Sequence, residues 1–226
     1  MIARLEGGPR PATLRRRIAE QLRASLISGE LRPGGVYSAP ELGNRFGTSA
    51  TPVREAMLDL VKEGLVEVVP NTGFRIRVLT ENELDEIAET RILLEVPIMG
   101  AVAASCEGEV AVQVERLRAT ARALLHAAET RDLVEYIRLD TDFHLQFLAL
   151  HGNATLVEQV AALRHRSRLF GLEALAASGK LDQSTREHET MIDLALARDK
   201  EGIEALMKQH IMHTRREWAE EGSAPN

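Results

Sequence analysis

Ser49-Ala50-Thr51-Pro52-Val53-Arg54-Glu55-Ala56-Met57-Leu58-Asp59-Leu60 predicts a short helix with a small, polar first turn and an amphipathic body, a shape able to enter a DNA groove. Upstream, Ser38-Ala39-Pro40-Glu41 fits a capping box, with a hydroxyl at the N-cap and a carboxylate three residues on. A preceding short helix therefore runs to about Phe46 before the turn Gly47-Thr48. Downstream, Gly64 stops the second helix, and Leu65–Val69 turns through Pro70-Asn71-Thr72-Gly73 into Phe74-Arg75-Ile76-Arg77-Val78, whose alternation predicts a two-stranded wing. Two helices, a tight turn and a wing make a module that reads duplex DNA.

Charge agrees with that reading once the chain is divided. The net charge is −6, yet residues 1–80 hold 12 Lys+Arg against 8 Asp+Glu (+4), leaving 16 against 26 (−10) for the rest. A basic first domain attracts phosphates and an acidic second one is repelled by them. At 226 residues, with 44% hydrophobic and 27% charged residues, the chain suits one large or two modest globular domains. Its single cysteine, Cys106, excludes an intrachain disulfide and fits a reducing cytoplasm. The uncharged, apolar run Val96 to Cys106 is far short of the roughly 20 residues of a membrane helix, so no membrane association is expected.

Thr80-Glu81-Asn82-Glu83 repeats the capping-box pattern directly after the wing. The boundary is accordingly placed between 1–79 and 80–226, with a linker of a few residues. Beyond it helical periodicity runs almost unbroken and predicts six helices, at about 81–104, 107–129, 132–151, 154–177, 184–199 and 201–219. The fold class is mainly α, a winged helix-turn-helix followed by an all-α six-helix bundle.

In that bundle, polar residues occupy apolar positions. Leu133, Ile137, Asp140, His144 and Leu148 recur at spacings of three and four, which puts a carboxylate and an imidazole on the core-facing side. His188 shares a stripe with Met191, Ile192 and Ala195, and His210 one with Ile203, Leu206, Met207 and Thr214. Each histidine alone reads as a hydrogen-bonded core residue. Together, one oxygen and three nitrogen donors from three helices make a divalent metal site, zinc foremost, with nickel or manganese next. Arg91, on the stripe Leu84, Ile87, Arg91, Leu94, Ile98, has two equal readings: an inward anchor for a small carboxylate, or a surface ion pair with Glu95. Arg164, His165, Arg166 and Arg168 crowd one helix and read first as a solvated basic face, with one of them lining the pocket as the second reading; Arg15-Arg16-Arg17 in the first helix read as an exposed cluster, with phosphate contact as the second reading.

The first third resembles the amino-terminal domain of the GntR family of bacterial transcription regulators. The resemblance rests on Ile18, Leu26, Gly29, Leu31, Pro33-Gly34, Leu42, Arg45-Phe46-Gly47, Thr51-Pro52-Val53-Arg54-Glu55-Ala56, Leu60, Gly64-Leu65 and Gly73. Ala50 and Pro40 stand where members often carry arginine. Asp140-x-x-Phe143-His144, the turn Gly152-Asn153, His188 and His210 are similar to the FCD domain of the FadR subfamily, in its shorter, VanR-like form. The likeness implies a homodimer on an inverted-repeat operator of double-stranded DNA, modulated by a small organic acid. It also implies metal ligation by Asp140, His144, His188 and His210. For DNA the expected contacts are Arg45 and Arg54, with Ser49 and Thr51 near phosphate and Thr72 and Gly73 at the wing tip. A metal-dependent hydrolase is the competing class, but no Gly-x-Ser-x-Gly elbow, phosphate loop or dinucleotide fingerprint supports an enzyme. An effector-free nucleoid-type binder, its metal a mere staple, is the third.

Overall fold

The computed structural model describes residues 14–167 and 181–219. They fall into two compact units, one holding the described residues up to Ser25 with Leu31–Arg77, the other Leu26–Glu30 and the described residues from Val78 onward.

In the first unit, α1 (Leu14–Ile27) is followed by β1 (Val36–Tyr37), α2 (Ala39–Arg45), α3 (Ala50–Lys62), β2 (Val66–Val69) and β3 (Gly73–Ile76). Ser38 caps α2 as expected: its Oγ accepts from Glu41 N at 3.2 Å, while its own N–H donates to Glu41 Oε2 at 3.4 Å. Val53, Ala56, Met57 and Leu60 bury one face of α3, and Ile18, Leu22, Leu42 and Ile76 are buried with them in the core of this unit. Gly64, at φ 74°, ends the α3 region, because the left-handed conformation is open to glycine at no steric cost. The wing is wider than the alternation predicts. β1 adds antiparallel to β3, giving a three-stranded sheet in the order β1-β3-β2, with Val36 opposite Arg75 and Glu67 opposite Arg75 on the other side. A two-residue strand carries too little alternation to be seen in sequence.

Gly73 sits at φ +154°, and a Cβ there would collide with the backbone carbonyl of Tyr37. The β1 approach therefore excludes any side chain. Gly73→Ala is expected to cost about 1–3 kcal/mol, read as a lowered thermal midpoint of the full chain. An unchanged midpoint would mean that β1 yields freely.

The second unit contains α4 (Glu81–Ala104), α5 (Gly108–Glu129), α6 (Leu133–Ala149), α7 (Ala154–Ser167), α8 (Leu181–Leu196) and α9 (Lys200–Ala219). The expected helices agree at their ends to within three residues, the first coinciding with α4, except the fourth, which is described only to Ser167; its expected continuation and the Ser178-Gly179 break lie outside the described residues. The starts are chemically capped: Thr80 Oγ1 accepts from Glu83 N, Asp132 Oδ1 from Glu135 N and Asn153 Oδ1 from Leu156 N. Met99, Val102, Val114, Phe143, Phe147, Met191, Ile192, Ile203 and Met207 form the apolar core on which the polar site is built.

Candidate metal centre and DNA-facing helix

Asp140 and His144 lie one turn apart on α6 and so project side by side, while His188 comes from α8 and His210 from α9. All four side chains are fully buried, and one ligand-type atom from each lies within 4.8 Å of the others. His188 Nε2 is 3.1 Å from His144 Nε2 and 3.3 Å from Asp140 Oδ1; the third edge, His144 Nε2 to Asp140 Oδ1, is 3.9 Å. A tetrahedral ion with bonds of about 2.05 Å separates its ligands by about 3.4 Å, so these three edges bracket the required spacing.

The protonation pattern fits as well. His188 Nδ1–H donates to the carbonyl of Thr185 at 3.0 Å, which leaves the lone pair on Nε2. His210 Nδ1–H donates to Glu187 Oε2 at 2.7 Å, so Nε2 is the ring nitrogen that could hold an ion. Burial, reinforced by the Arg164 guanidinium, holds His144 neutral well below the usual histidine range, despite the opposing pull of Asp140. Three imidazole nitrogens and a carboxylate form the donor set of a borderline divalent ion, and the residues present fit that group.

Beside the centre runs a chain of buried ions. Arg164 Nη1 donates to Asp140 Oδ2 at 3.1 Å, Arg164 Nη2 to Glu95 Oε2 at 2.5 Å, and Arg91 Nε to Glu95 Oε1 at 2.6 Å. Burial raises the Glu95 carboxyl, but Arg164 and Arg91 together outweigh it and hold it below the usual range. Arg91 thus pairs with Glu95, as one reading supposed, but in the interior rather than on the surface: the two are 2% and 0% exposed. Its Nη2 is buried and has no hydrogen-bond partner among the described residues. Arg91 also borders a small, partly open recess whose walls include Leu84, Ile87, Ala88 and Ile211.

Arg164 corrects the sequence reading. The expected solvated basic face does not hold for it, since Arg164 is fully buried between two carboxylates. The signal that might have found it is its place one turn after the buried Val160. Arg168 lies outside the described residues. Glu187 was also missed, because it directly precedes His188 and so stands off the apolar stripe.

On the first unit, Arg45, Ser49, Thr51, Arg54 and Thr72 are exposed, and Gly73 is partly so at the turn between β2 and β3. Arg45 and Arg54 make no ion pair among the described residues, so both guanidinium groups are available to an outside partner. Ser49 occupies the N-cap of α3 without a side-chain capping bond, leaving its hydroxyl uncommitted. Thr72 Oγ1 donates to the carbonyl of Pro70 at 3.3 Å. By contrast, the Arg15 guanidinium is held by Asp59 on α3, and Arg16 pairs with Glu20.

A winged helix-turn-helix joined to an all-helical unit is the architecture of a DNA-binding transcription regulator. The sequence matches the description "Bacterial regulatory proteins, gntR family" over residues 14–76 and "FCD domain" over residues 86–213. The chain belongs to the GntR family, in its FCD-bearing group. It is 28% identical over 211 residues to the HTH-type transcriptional regulator McbR of Escherichia coli (strain K12), covering 91% of this chain and 94% of that one. It is 29% identical over 201 residues to the HTH-type transcriptional repressor GlaR of the same strain, covering 84% and 89%. The fold is similar to that of the solved E. coli McbR/YncC structure, with a TM-score of 0.77 at 23% identity, covering 94% of this chain and 100% of that one. Among the described residues no helix is long and apolar enough to cross a membrane.

Proposed function

We propose that this chain is a cytoplasmic, homodimeric regulator of the VanR-like form, whose operator affinity is set by a small carboxylate effector bound beside a zinc-type ion. Residues 1–79 dock an inverted-repeat operator and residues 80–226 sense the acid. Asp140, His144, His188 and His210 hold the ion, which supplies a Lewis-acid anchor for a carboxylate oxygen when bound. The observation that carries the reading is the convergence of these four buried donors next to a charge-balanced ion chain, Arg91–Glu95–Arg164–Asp140. With neutral imidazoles the two arginines and two carboxylates cancel, so a dication leaves an excess of positive charge in a buried place. A small anion offsets it, and the uncommitted Nη2 of Arg91 supports a second grip on that anion.

The test is calorimetric titration of short carboxylic acids into zinc-loaded protein, repeated on Arg91→Ala. At least one acid is expected to bind, and to bind about tenfold or more weakly to the variant. No acid bound by the wild type overturns the effector reading; equal affinity in the variant removes Arg91 from the pocket. On DNA, Arg54→Ala is expected to weaken operator binding by about 1–3 kcal/mol in a gel-shift series over several salt concentrations. Unchanged affinity at every salt would place the reading surface elsewhere. Footprinting with and without the acid then reads the coupling of the two ligands, commonly about 1–3 kcal/mol.

A further inference from the structure

The four donors leave one neighbouring buried acid without a role. Glu187 is 8% exposed, and a carboxyl group placed in the interior is costly unless it has partners there. Standing one residue before His188 on α8, it is turned about 100° around the helix from that ligand and reaches across to α9 instead. There its two oxygens divide. Oε2 accepts the Nδ1–H of His210 at 2.7 Å, and Oε1 lies 3.5 Å from Nδ1 of His213, a half-buried residue three positions further along the same helix.

Two imidazoles of the site are thereby fixed by different means. His188 gives its Nδ1–H to the backbone of its own helix, at Thr185. His210 has its Nδ1–H taken by a side chain from a different helix, so its tautomer and ring orientation depend on Glu187. Without that acceptor the Nδ1 proton of His210 loses its carboxylate partner, and the tautomer and χ2 of the ring are less tightly held.

We propose that Glu187 is a positioning residue, which locks His210 in the tautomer and orientation that the metal needs, and that His213 steadies its second oxygen. The string His213–Glu187–His210 then leads from the half-buried rim to the innermost donor set. This inference rests on the metal-site reading, and the test separates the two.

Zinc affinity of the full chain is measured by competition with a chromophoric chelator for the wild type, Glu187→Ala, Glu187→Gln and His213→Ala. In parallel, nitrogen-15 NMR of the metal-free proteins reads the tautomer of His210. Glu187→Ala is expected to weaken zinc binding about 10- to 100-fold and to lose the pure Nδ1–H signature. Glu187→Gln, whose amide oxygen still accepts that proton, is expected to recover most of the affinity, and His213→Ala to stay within a few-fold of the wild type. A loss of packing alone would lower the thermal midpoint of Glu187→Ala without moving either the tautomer or the affinity. Wild-type affinity and an unchanged tautomer in both Glu187 variants overturn the role of Glu187 alone. A wild type that takes up no zinc overturns the metal reading, and this inference with it. Should Glu187→Ala fail to fold, Glu187→Gln decides by the same two readouts, with its amide oxygen expected to hold the Nδ1–H tautomer and any zinc loss kept under tenfold.

Discussion

Arg164→Met is expected to destabilise the helical unit by about 3–5 kcal/mol, measured by urea unfolding of the full chain followed by helical circular dichroism. The guanidinium is fully buried and bonded to two carboxylates that are themselves fully buried. Methionine fills much of the volume, so the loss is electrostatic rather than a cavity effect. It strands Asp140 without its Oδ2 donor and leaves Glu95 with Arg91 alone. Removing one partner of a buried pair is costly because the remaining charge has lost its water and gained nothing, whereas removing both can be nearly neutral. The double variant Arg164→Met with Glu95→Leu is accordingly expected to recover part of the loss, although Asp140 still misses Arg164 and Arg91 still misses Glu95 in it. A single-variant cost below about 1 kcal/mol would mean that water reaches this chain of ions.

Zinc is expected to raise the stability of chelator-treated protein by about 2.7 kcal/mol at a free concentration 100 times the dissociation constant, and by about 4.1 kcal/mol at 1,000 times. For a chain of this size the smaller figure corresponds to a rise in thermal midpoint of roughly 5–10 °C. Asp140→Ala, His188→Ala or His210→Ala is expected to abolish most of it, since each removes one of four donors. The same centre sets a pH dependence in the metal-free protein. His144 is held neutral in the folded state well below its ordinary value of about 6.5. Above that value neither state binds the proton, so the group contributes no slope. As the pH falls through about 6.5 the unfolded chain takes up a proton that the folded one refuses, and stability drops with further acidification until the folded group also titrates. Thermal midpoints of metal-free protein between pH 7.5 and 5 read this slope, and it should be reduced in His144→Gln. No midpoint shift with zinc, nickel or manganese would remove the ion from the site.

Much of this architecture was legible because it is local. Ser38 with Glu41 and Thr80 with Glu83 announce two helix starts through bonds that span three residues, and both capping boxes form. Helical spacing put Asp140 and His144 on one buried face, since the period of an α-helix fixes which side chains share a side. The same periodicity turned His188 and His210 inward on their separate helices. The exposed face of α3 was legible for a similar reason: its apolar positions fix its buried side and leave Arg54 on the other.

What was not legible depends on partners distant in sequence. Arg164 sits among Arg166 and His165 and reads as part of a wet, basic face; its destination is set by Glu95, 69 residues away, and Asp140, 24 residues away. Glu95 likewise is one more acid in a charged helix until two guanidinium groups converge on it. β1 exists only because the exposed edge of β3 offers it a ladder. Glu187 meets His210 across two helices, which no periodicity within α8 reports.

The sequence by itself determined the elements, their caps, the division of charge between the two parts of the chain and the inward direction of the four donors, because those follow from the helical repeat and from bonds within a few residues. Only the tertiary structure decided that the donors meet within 4.8 Å, that Arg164 and Glu95 are interior ions, and that His210 depends on an acid from another helix. The physical reason is that a buried charge is tolerable only beside its counter-charge, and which counter-charge stands beside it is a property of helix packing, not of sequence neighbourhood.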